Sequence, residues 1–175
     1  YLRVGANLIE TDTFGASPLR LKEFDFSKFY PSDLKAIPNQ LDIKTCSLES
    51  LTLQLNIEGC RIAKRAIEKY RAESDYDGRP LYVAGSIGPS NYVVSSTQAN
   101  LNKGTFDQIV DNFYYQVLGL IEGGADVLLI ETQQDILETK AIIIGANKAF
   151  AEKQTRLPMI VQATVDVFSK MQIFN

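Results

Sequence analysis

Short apolar runs alternate along the chain with longer segments of helical periodicity. The apolar runs predict four strands, at 6–14, 82–88, 127–132 and 159–166, each turning polar at its carboxyl end. Valine, isoleucine and leucine follow one another almost without interruption in these runs. That pattern is typical of strands covered on both faces, as in parallel sheets, and does not fit strands with one face in water.

The clearest predicted helix lies between the second and third strands. Apolar residues recur over 106–121 at steps of three and four, which places them on one helical face. Thr105 and Gln108 have the spacing of a capping box at its start, and Gly123 and Gly124 supply a stop.

Two further helices are predicted. One begins at Asp135, where Glu138 repeats the capping-box spacing, and extends to about Phe150. The other covers about 55–71, after the first strand. Its predicted inward-facing residues are Ile62, Ala63, Ala66, Ile67 and Tyr70.

The alternation of strands and helices predicts an α/β fold with a parallel sheet and right-handed crossovers. Periodicity leaves two architectures open, a doubly wound sheet and a (β/α) barrel. A complete barrel has about 250 residues, so four strands would form about half of one. The stretch 27–52 has weak periodicity and predicts an irregular loop.

Composition narrows the classes of function. The chain has 175 residues, of which 45% are hydrophobic, and a net charge of −3, which indicates one soluble domain without a basic surface for nucleic acid or a membrane. Its two cysteines, Cys46 and Cys60, favour a reduced, cytoplasmic setting.

Histidine is absent, which excludes Ser-His and Cys-His nucleophiles and histidine metal sites. Tyr1 stands where a start methionine would, so we expect an internal piece of a longer chain.

Polar residues end each predicted strand. Because ligands bind at the carboxyl ends of parallel strands, these groups predict a shared rim. Turns and helix caps use the same residue types, so each group alone has an equally good structural explanation. The groups are 10–13, 86–90, 131–134 and 162–166.

Two features of this rim point to a ligand. Glu131 directly follows an apolar strand, so its carboxylate needs a cationic partner, either a ligand's ammonium group or a lysine such as Lys170. The segment 85–89, a glycine-flanked turn around Ser86, is either a small anion nest or a tight turn with positive φ at glycine.

Three segments resemble the homocysteine S-methyltransferase family. They are 124–132 (GADVLLIET), 83–91 (VAGSIGPSN) and 5–14 (GANLIETDTF), with further similarity over 55–66. The chain is most similar to the homocysteine-binding module of cobalamin-dependent methionine synthase. The stretch 27–52 looks like an insertion, and Asp12 stands where the family usually has asparagine.

The resemblance implies a partial (β/α)₈ barrel that contains about the second to fifth strands. It implies one incomplete homocysteine-binding domain over 1–175, with the insertion or irregular loop at about 27–52. The family's first strand and its zinc-binding cysteines would then lie outside this sequence, so we expect no catalytic residue or metal ligand within it.

The resemblance also implies the chemistry. In the family, zinc binds the homocysteine thiolate, which attacks a methyl donor and gives methionine. By position, Glu131 would bind the ammonium group of homocysteine and Ser86 would help to hold the amino-acid end, with Thr13 and Thr132 as weaker candidates. Zinc, cobalamin and methyltetrahydrofolate would act in the full protein, together with downstream folate- and cobalamin-binding modules.

Two alternatives stay open. One is a stand-alone homocysteine methyltransferase that uses S-methylmethionine or betaine. The other, of a different class, is a non-catalytic fragment or a barrel relic that binds small ligands. In either case we expect the chain by itself to be inactive.

Overall fold

A computed structural model describes residues 1–28, 45–95, 104–168 and 171. Its strands are β1 (Leu8–Glu10), β2 (Tyr82–Ile87), β3 (Val127–Gln133) and β4 (Met159–Ala163). Its α-helices are α1 (Pro18–Leu21), α2 (Leu48–Arg71), α3 (Phe106–Gly123) and α4 (Ile136–Lys153), with short 3₁₀ turns at Leu2–Val4 and Phe26–Lys28. In the described parts of the chain, no helix is long and apolar enough to cross a membrane.

The four strands form one parallel sheet in the order β1-β2-β3-β4. A doubly wound sheet reverses its strand order at a switch point, and no reversal occurs here. With right-handed crossovers, strands in simple sequence order put all their helices on one face, as in a barrel. The fold prediction, α/β with part of a (β/α) barrel, is confirmed.

The main core lies between the sheet and helices α3 and α4. Leu128 and Ile130 of β3 and Phe113 and Val117 of α3 are completely buried there. Each such side chain contributes on the order of 2 kcal/mol through removal from water. On the opposite face of the sheet, Ala84, Val127 and Leu129 form a smaller cluster.

At the amino end of the sheet, Asp126 joins three elements. Its carboxylate accepts two hydrogen bonds from the Lys64 ammonium group of α2, at 2.8 and 2.7 Å, and one from the Val83 backbone amide of β2, at 2.7 Å. This contact fixes α2 against β2 and the start of β3.

Helix α2 begins earlier than predicted, at Leu48. The Ser47 side chain accepts a hydrogen bond from the Ser50 amide and caps the helix, which apolar periodicity did not reveal. The predicted irregular stretch 27–52 is therefore too long at its carboxyl end. Residues 29–44 lie outside the described residues.

The buried face of α2 is narrower than predicted. Ala63, Ile67 and Tyr70 are buried, but Ile62 is 59% exposed and Ala66 is exposed as well. Ile62 and Ala66 line an open cavity with Ile9 beside the free edge of β1. They lack cover because no described strand pairs with that edge.

Two of the four strands are clearly shorter than predicted. The prediction of 6–14 shortens to Leu8–Glu10, and that of 159–166 shortens to Met159–Ala163. After Glu10, the Thr11 amide still donates to the Ala84 carbonyl at 2.9 Å, and the chain then leaves the sheet.

The two predicted capping boxes had different outcomes. Thr105 and Gln108 form the reciprocal pair at the start of α3. At α4, the Asp135 side chain accepts from the Leu137 amide, but Glu138 accepts a hydrogen bond from the Ser90 amide instead of closing the box. The tertiary contact of Glu138 replaces the local one.

Candidate functional site

Strands β2 and β3 bring Ser86 and Glu131 together at their carboxyl ends. Ser86 pairs in register with Leu129, so Glu131, two residues further along β3, projects from the same face of the sheet. The Ser86 hydroxyl donates to Glu131 Oε1 at 2.6 Å. Ser86 is buried and Glu131 is half-buried at the rim.

The Glu131 carboxylate forms no ion pair within the described part of the chain. Its Oε2 atom likewise has no hydrogen-bond partner among those residues. Lys170, the alternative cationic partner, lies outside them. A half-buried carboxylate held in place at one oxygen can bind an ammonium or guanidinium group at the other.

Thr13, a predicted rim residue, is buried in the interior behind Ser86 and is not exposed at the rim. It is 1% exposed, and its hydroxyl donates to the Ser86 carbonyl at 2.8 Å and contacts the Thr11 hydroxyl at 2.6 Å. The Thr11 hydroxyl in turn accepts from the Ser86 amide at 3.0 Å. The two threonine hydroxyls therefore fix the Ser86 backbone, Thr13 at its carbonyl and Thr11 at its amide.

Three buried carboxamides fasten the segment that follows β1. Gln116 Nε2 of α3 donates to the Thr13 carbonyl at 2.7 Å, and Asn56 Nδ2 of α2 donates to the Ala16 carbonyl at 2.7 Å. Asn112 Oδ1 accepts from the Leu19 amide at 2.8 Å. These contacts add to the few backbone hydrogen bonds of the segment and fix it against α2 and α3.

The segment 85–89 is neither a positive-φ turn nor an anion nest. Gly85 belongs to β2, and the glycines with positive φ in the described residues do not include Gly85 or Gly88. Both sites are glycine for space: a Cβ at Gly85 would lie 2.9 Å from the Leu120 side chain, and one at Gly88 would lie 2.5 Å from the Phe14 ring.

Three backbone amides in and directly after this segment already have hydrogen-bond partners. The Ser86 amide donates to Thr11 Oγ1, the Gly88 amide to the Phe14 carbonyl at 3.0 Å, and the Ser90 amide to Glu138 Oε1 at 2.8 Å. Amides engaged in this way cannot converge on a bound anion.

Two buried acids hold the loop that follows β2. Asp135, with no exposed surface, accepts from the amides of Val94 and Ser95 at 3.1 and 2.9 Å. Glu138 is 3% exposed, and burial raises its pKa from 4.5 to about 7, against the opposing effect of its hydrogen bonds with Ser90. This loop borders the rim, so its position depends on α4.

Thr132 has an unusual backbone. Its φ is 57°, in the left-handed region that β-branched residues seldom adopt. It lies where the pairing of β3 with β4 shifts register. Asp12 is exposed, two residues beyond the end of β1.

The cysteines do not fit a zinc site. Cys60 is fully buried, its thiol donates to the Leu120 carbonyl, and burial raises its pKa to about 12. Cys46 is half-buried, and neither cysteine is in a disulfide. In the described residues, no group of three cysteine, aspartate or glutamate side chains is arranged to hold a metal ion.

Sequence reasoning found Ser86 and Glu131 but missed the side chains that support them. Gln116, Asn56 and Asn112 lie on helices whose apolar stripes predict core, and a polar residue within such a stripe was the available signal. Glu138 was interpreted as a local cap, and only its burial distinguishes the two roles.

Comparisons with known proteins agree with this architecture. A sequence model of the family described as homocysteine S-methyltransferase matches residues 1–173. Two solved structures, both of the homocysteine methyltransferase MmuM from Escherichia coli, are similar in fold. The metallated form is 21% identical with a TM-score of 0.65, and the oxidized form is 20% identical with a TM-score of 0.63.

These alignments cover 94% and 93% of this chain, but 49% and 47% of the MmuM chains. The chain thus spans about half the length of the solved structures it matches. At this level of identity the similarity shows the fold, and the sequence match shows the family.

Proposed function

Because the chain belongs to the homocysteine S-methyltransferase family, we propose that it carries the part of a homocysteine site that binds the amino-acid end of the substrate. Glu131 binds the ammonium group and Ser86 holds the Glu131 carboxylate in place. The observation that carries this proposal is the 2.6 Å hydrogen bond between Ser86 and Glu131 at the rim.

Charge supports the assignment. Glu131 is half-buried and has no cationic partner in the described part of the chain, and an unpaired carboxylate in such a place is costly. Substrate ammonium compensates that cost only when it is bound. Thr13 contributes indirectly by fixing the Ser86 backbone, and Thr132 stays a candidate for contact at the rim.

These residues orient the substrate and do not transfer protons. Methyl transfer to a thiol requires the sulfur to approach the donor in line, so holding the amino-acid end reduces the entropy lost on reaching that geometry. When bound, the family's zinc would supply an activated thiolate. The described residues do not fit zinc, so we infer that the 175-residue chain by itself is inactive.

The methyl donor divides the proposal into two forms. A methionine-synthase module would work with cobalamin and methyltetrahydrofolate bound to downstream modules. A stand-alone enzyme would use S-methylmethionine or betaine. The coding sequence on either side of this chain distinguishes the two.

The first experiment measures binding calorimetrically. We expect homocysteine to bind the chain and Glu131→Gln to weaken binding by about 10- to 100-fold, because a hydrogen bond to a charged group is worth about 1.5–3 kcal/mol. We expect 4-mercaptobutanoate, which is homocysteine without the ammonium group, to bind Glu131→Gln and the unaltered chain alike.

Glu68→Gln is the matched control, because Glu68 lies exposed on α2. Homocysteine affinity that is equal in Glu131→Gln and Glu68→Gln would remove Glu131 from the site. No homocysteine binding to the unaltered chain would contradict the proposed function as a whole.

A further inference from the structure

Strand β3 contains a bulge directly after Glu131. Ile130 pairs with Val161 and Gln133 pairs with Ala163, so three steps along β3 correspond to two along β4. The extra residue is accommodated by Thr132, whose φ is 57°. Such a conformation in a β-branched residue is strained, and it persists only where the surrounding structure enforces it.

The bulge changes the face on which Gln133 lies. In a regular strand, residues 129, 131 and 133 would share one face, and Gln133 would point the same way as Glu131. The observed register places Gln133 with Ile130 instead, on the opposite side of the sheet. Gln133 has no exposed surface there.

The buried Gln133 side chain returns to the residue that precedes the bulge. Its Nε2 atom donates to the Glu131 carbonyl at 2.9 Å, while its own backbone carbonyl accepts from the Thr164 amide at 2.8 Å. One residue thus ties the Glu131 backbone to β4 across the strained Thr132.

We propose that Gln133 is a positioning residue for the substrate: its carboxamide locks the bulge and thereby aims the Glu131 carboxylate at Ser86 and at the ammonium group of the ligand. This inference rests on the proposed function of Glu131. The strained backbone at Thr132 makes this contact possible, because in a regular strand the Gln133 side chain would not donate to the Glu131 carbonyl.

The test uses Gln133→Met, which keeps the side-chain length and removes the donor, with Gln134→Met as matched control at the neighbouring residue. We expect Gln133→Met to lower homocysteine affinity by about tenfold and to leave that for 4-mercaptobutanoate unchanged. In a Glu131→Gln background, we expect Gln133→Met to change homocysteine affinity by less than about twofold, because the two residues act through one contact. Equal losses for both ligands, or an undiminished loss in that background, would overturn the proposal.

A measurement without ligand separates this inference from the proposed function. In NMR spectra of the unaltered chain, we expect nuclear Overhauser contacts between Ser86 Hβ and Glu131 Hγ and between the Gln133 side-chain amide and Glu131 Hα. Gln133→Met should lose the first contact and Gln134→Met should keep it. If Gln133→Met does not fold, absence of the Gln133–Glu131 contact in the unaltered chain alone sinks the positioning role, whether or not homocysteine binds.

Discussion

Ionisation of the buried Glu138 carboxyl group destabilises the folded state. In the unfolded chain it loses its proton near pH 4.5, whereas in the folded chain burial raises its pKa to about 7. Between these values the folded state binds more protons than the unfolded state. Glu138 therefore makes the free energy of unfolding fall as pH rises through that range, by about 3 kcal/mol in total.

We expect Glu138→Gln to remove this dependence. Glutamine keeps an oxygen that accepts from the Ser90 amide, so the variant should match the unaltered chain near pH 4.5 and exceed it in stability by up to about 3 kcal/mol at pH 8. Urea unfolding at a series of pH values measures this difference. Stability curves that stay parallel for Glu138→Gln and the unaltered chain would contradict it, and Glu68→Gln should show such parallel curves.

Among individual residues, location in the sequence predicted Ser86 and Glu131 because each stands at the polar, carboxyl end of an apolar run. Their meeting depends on the register of β2 and β3, which no local pattern encodes. The interpretation of Gly85 and Gly88 as turn glycines was wrong for a similar reason. The space they leave is filled by Leu120 and Phe14, which are distant in sequence.

Helices α2 and α3 pack closely because α3 has glycine at two positions of one face. A Cβ at Gly119 would lie 2.7 Å from the Leu53 carbonyl oxygen, and one at Gly123 would lie 2.8 Å from the Ile57 carbonyl oxygen. These neighbours are backbone atoms, so a rotamer change cannot relieve the contact. The short distance between α2 and α3 therefore depends on the lack of side chains at Gly119 and Gly123.

We expect Gly119→Ala to destabilise the fold. Alanine would gain up to about 1 kcal/mol in helix propensity, but forcing the helices apart costs about 1–3 kcal/mol or more, so the net free energy of unfolding should decrease. Thermal and urea unfolding measure the change. Gly15→Ala, where a Cβ meets nothing within 4 Å, is the control and should be nearly neutral. A gain in stability for Gly119→Ala would show that the helices can separate freely.

At the scale of elements, periodicity predicted all four strands and helices α2, α3 and α4, and it misplaced ends. The start of α2 at Leu48 depends on a serine cap, and β1 ends at Glu10, opposite Ala84, although its partner β2 continues to Ile87. The end of a helix or strand depends on a few local contacts, whereas its interior is supported by many residues. Apolar spacing therefore detects the interiors and not the ends.

For the molecule as a whole, we expect the purified 175-residue chain to bind no stoichiometric zinc and to catalyse no methyl transfer. It has two cysteines and no histidine, and the Cys60 thiol stays protonated at neutral pH because burial raises its pKa to about 12. Metal analysis after dialysis against zinc measures the content. Tight zinc binding that thiol alkylation abolishes would contradict this expectation.

The assignment of 1–175 as one incomplete barrel domain stays a prediction, as does the insertion at about 27–52, of which residues 29–44 lie outside the described residues. Alternating strands and helices alone left a doubly wound sheet open, and the family resemblance implied the barrel. The strand order β1-β2-β3-β4 agrees with the barrel.

The sequence by itself determined the α/β class, the parallel strands and the location of Ser86 and Glu131 at the rim, because these follow from local patterns of apolar and polar positions. The resemblance of three segments, 5–14, 83–91 and 124–132, indicated the family. Only the tertiary structure decided what holds those two residues together. The Thr132 bulge, the Gln133 contact and the buried carboxamides depend on register and on side chains that meet from distant segments. A one-residue shift in pairing changes the face of every later side chain, and nothing in a single strand's composition records that shift.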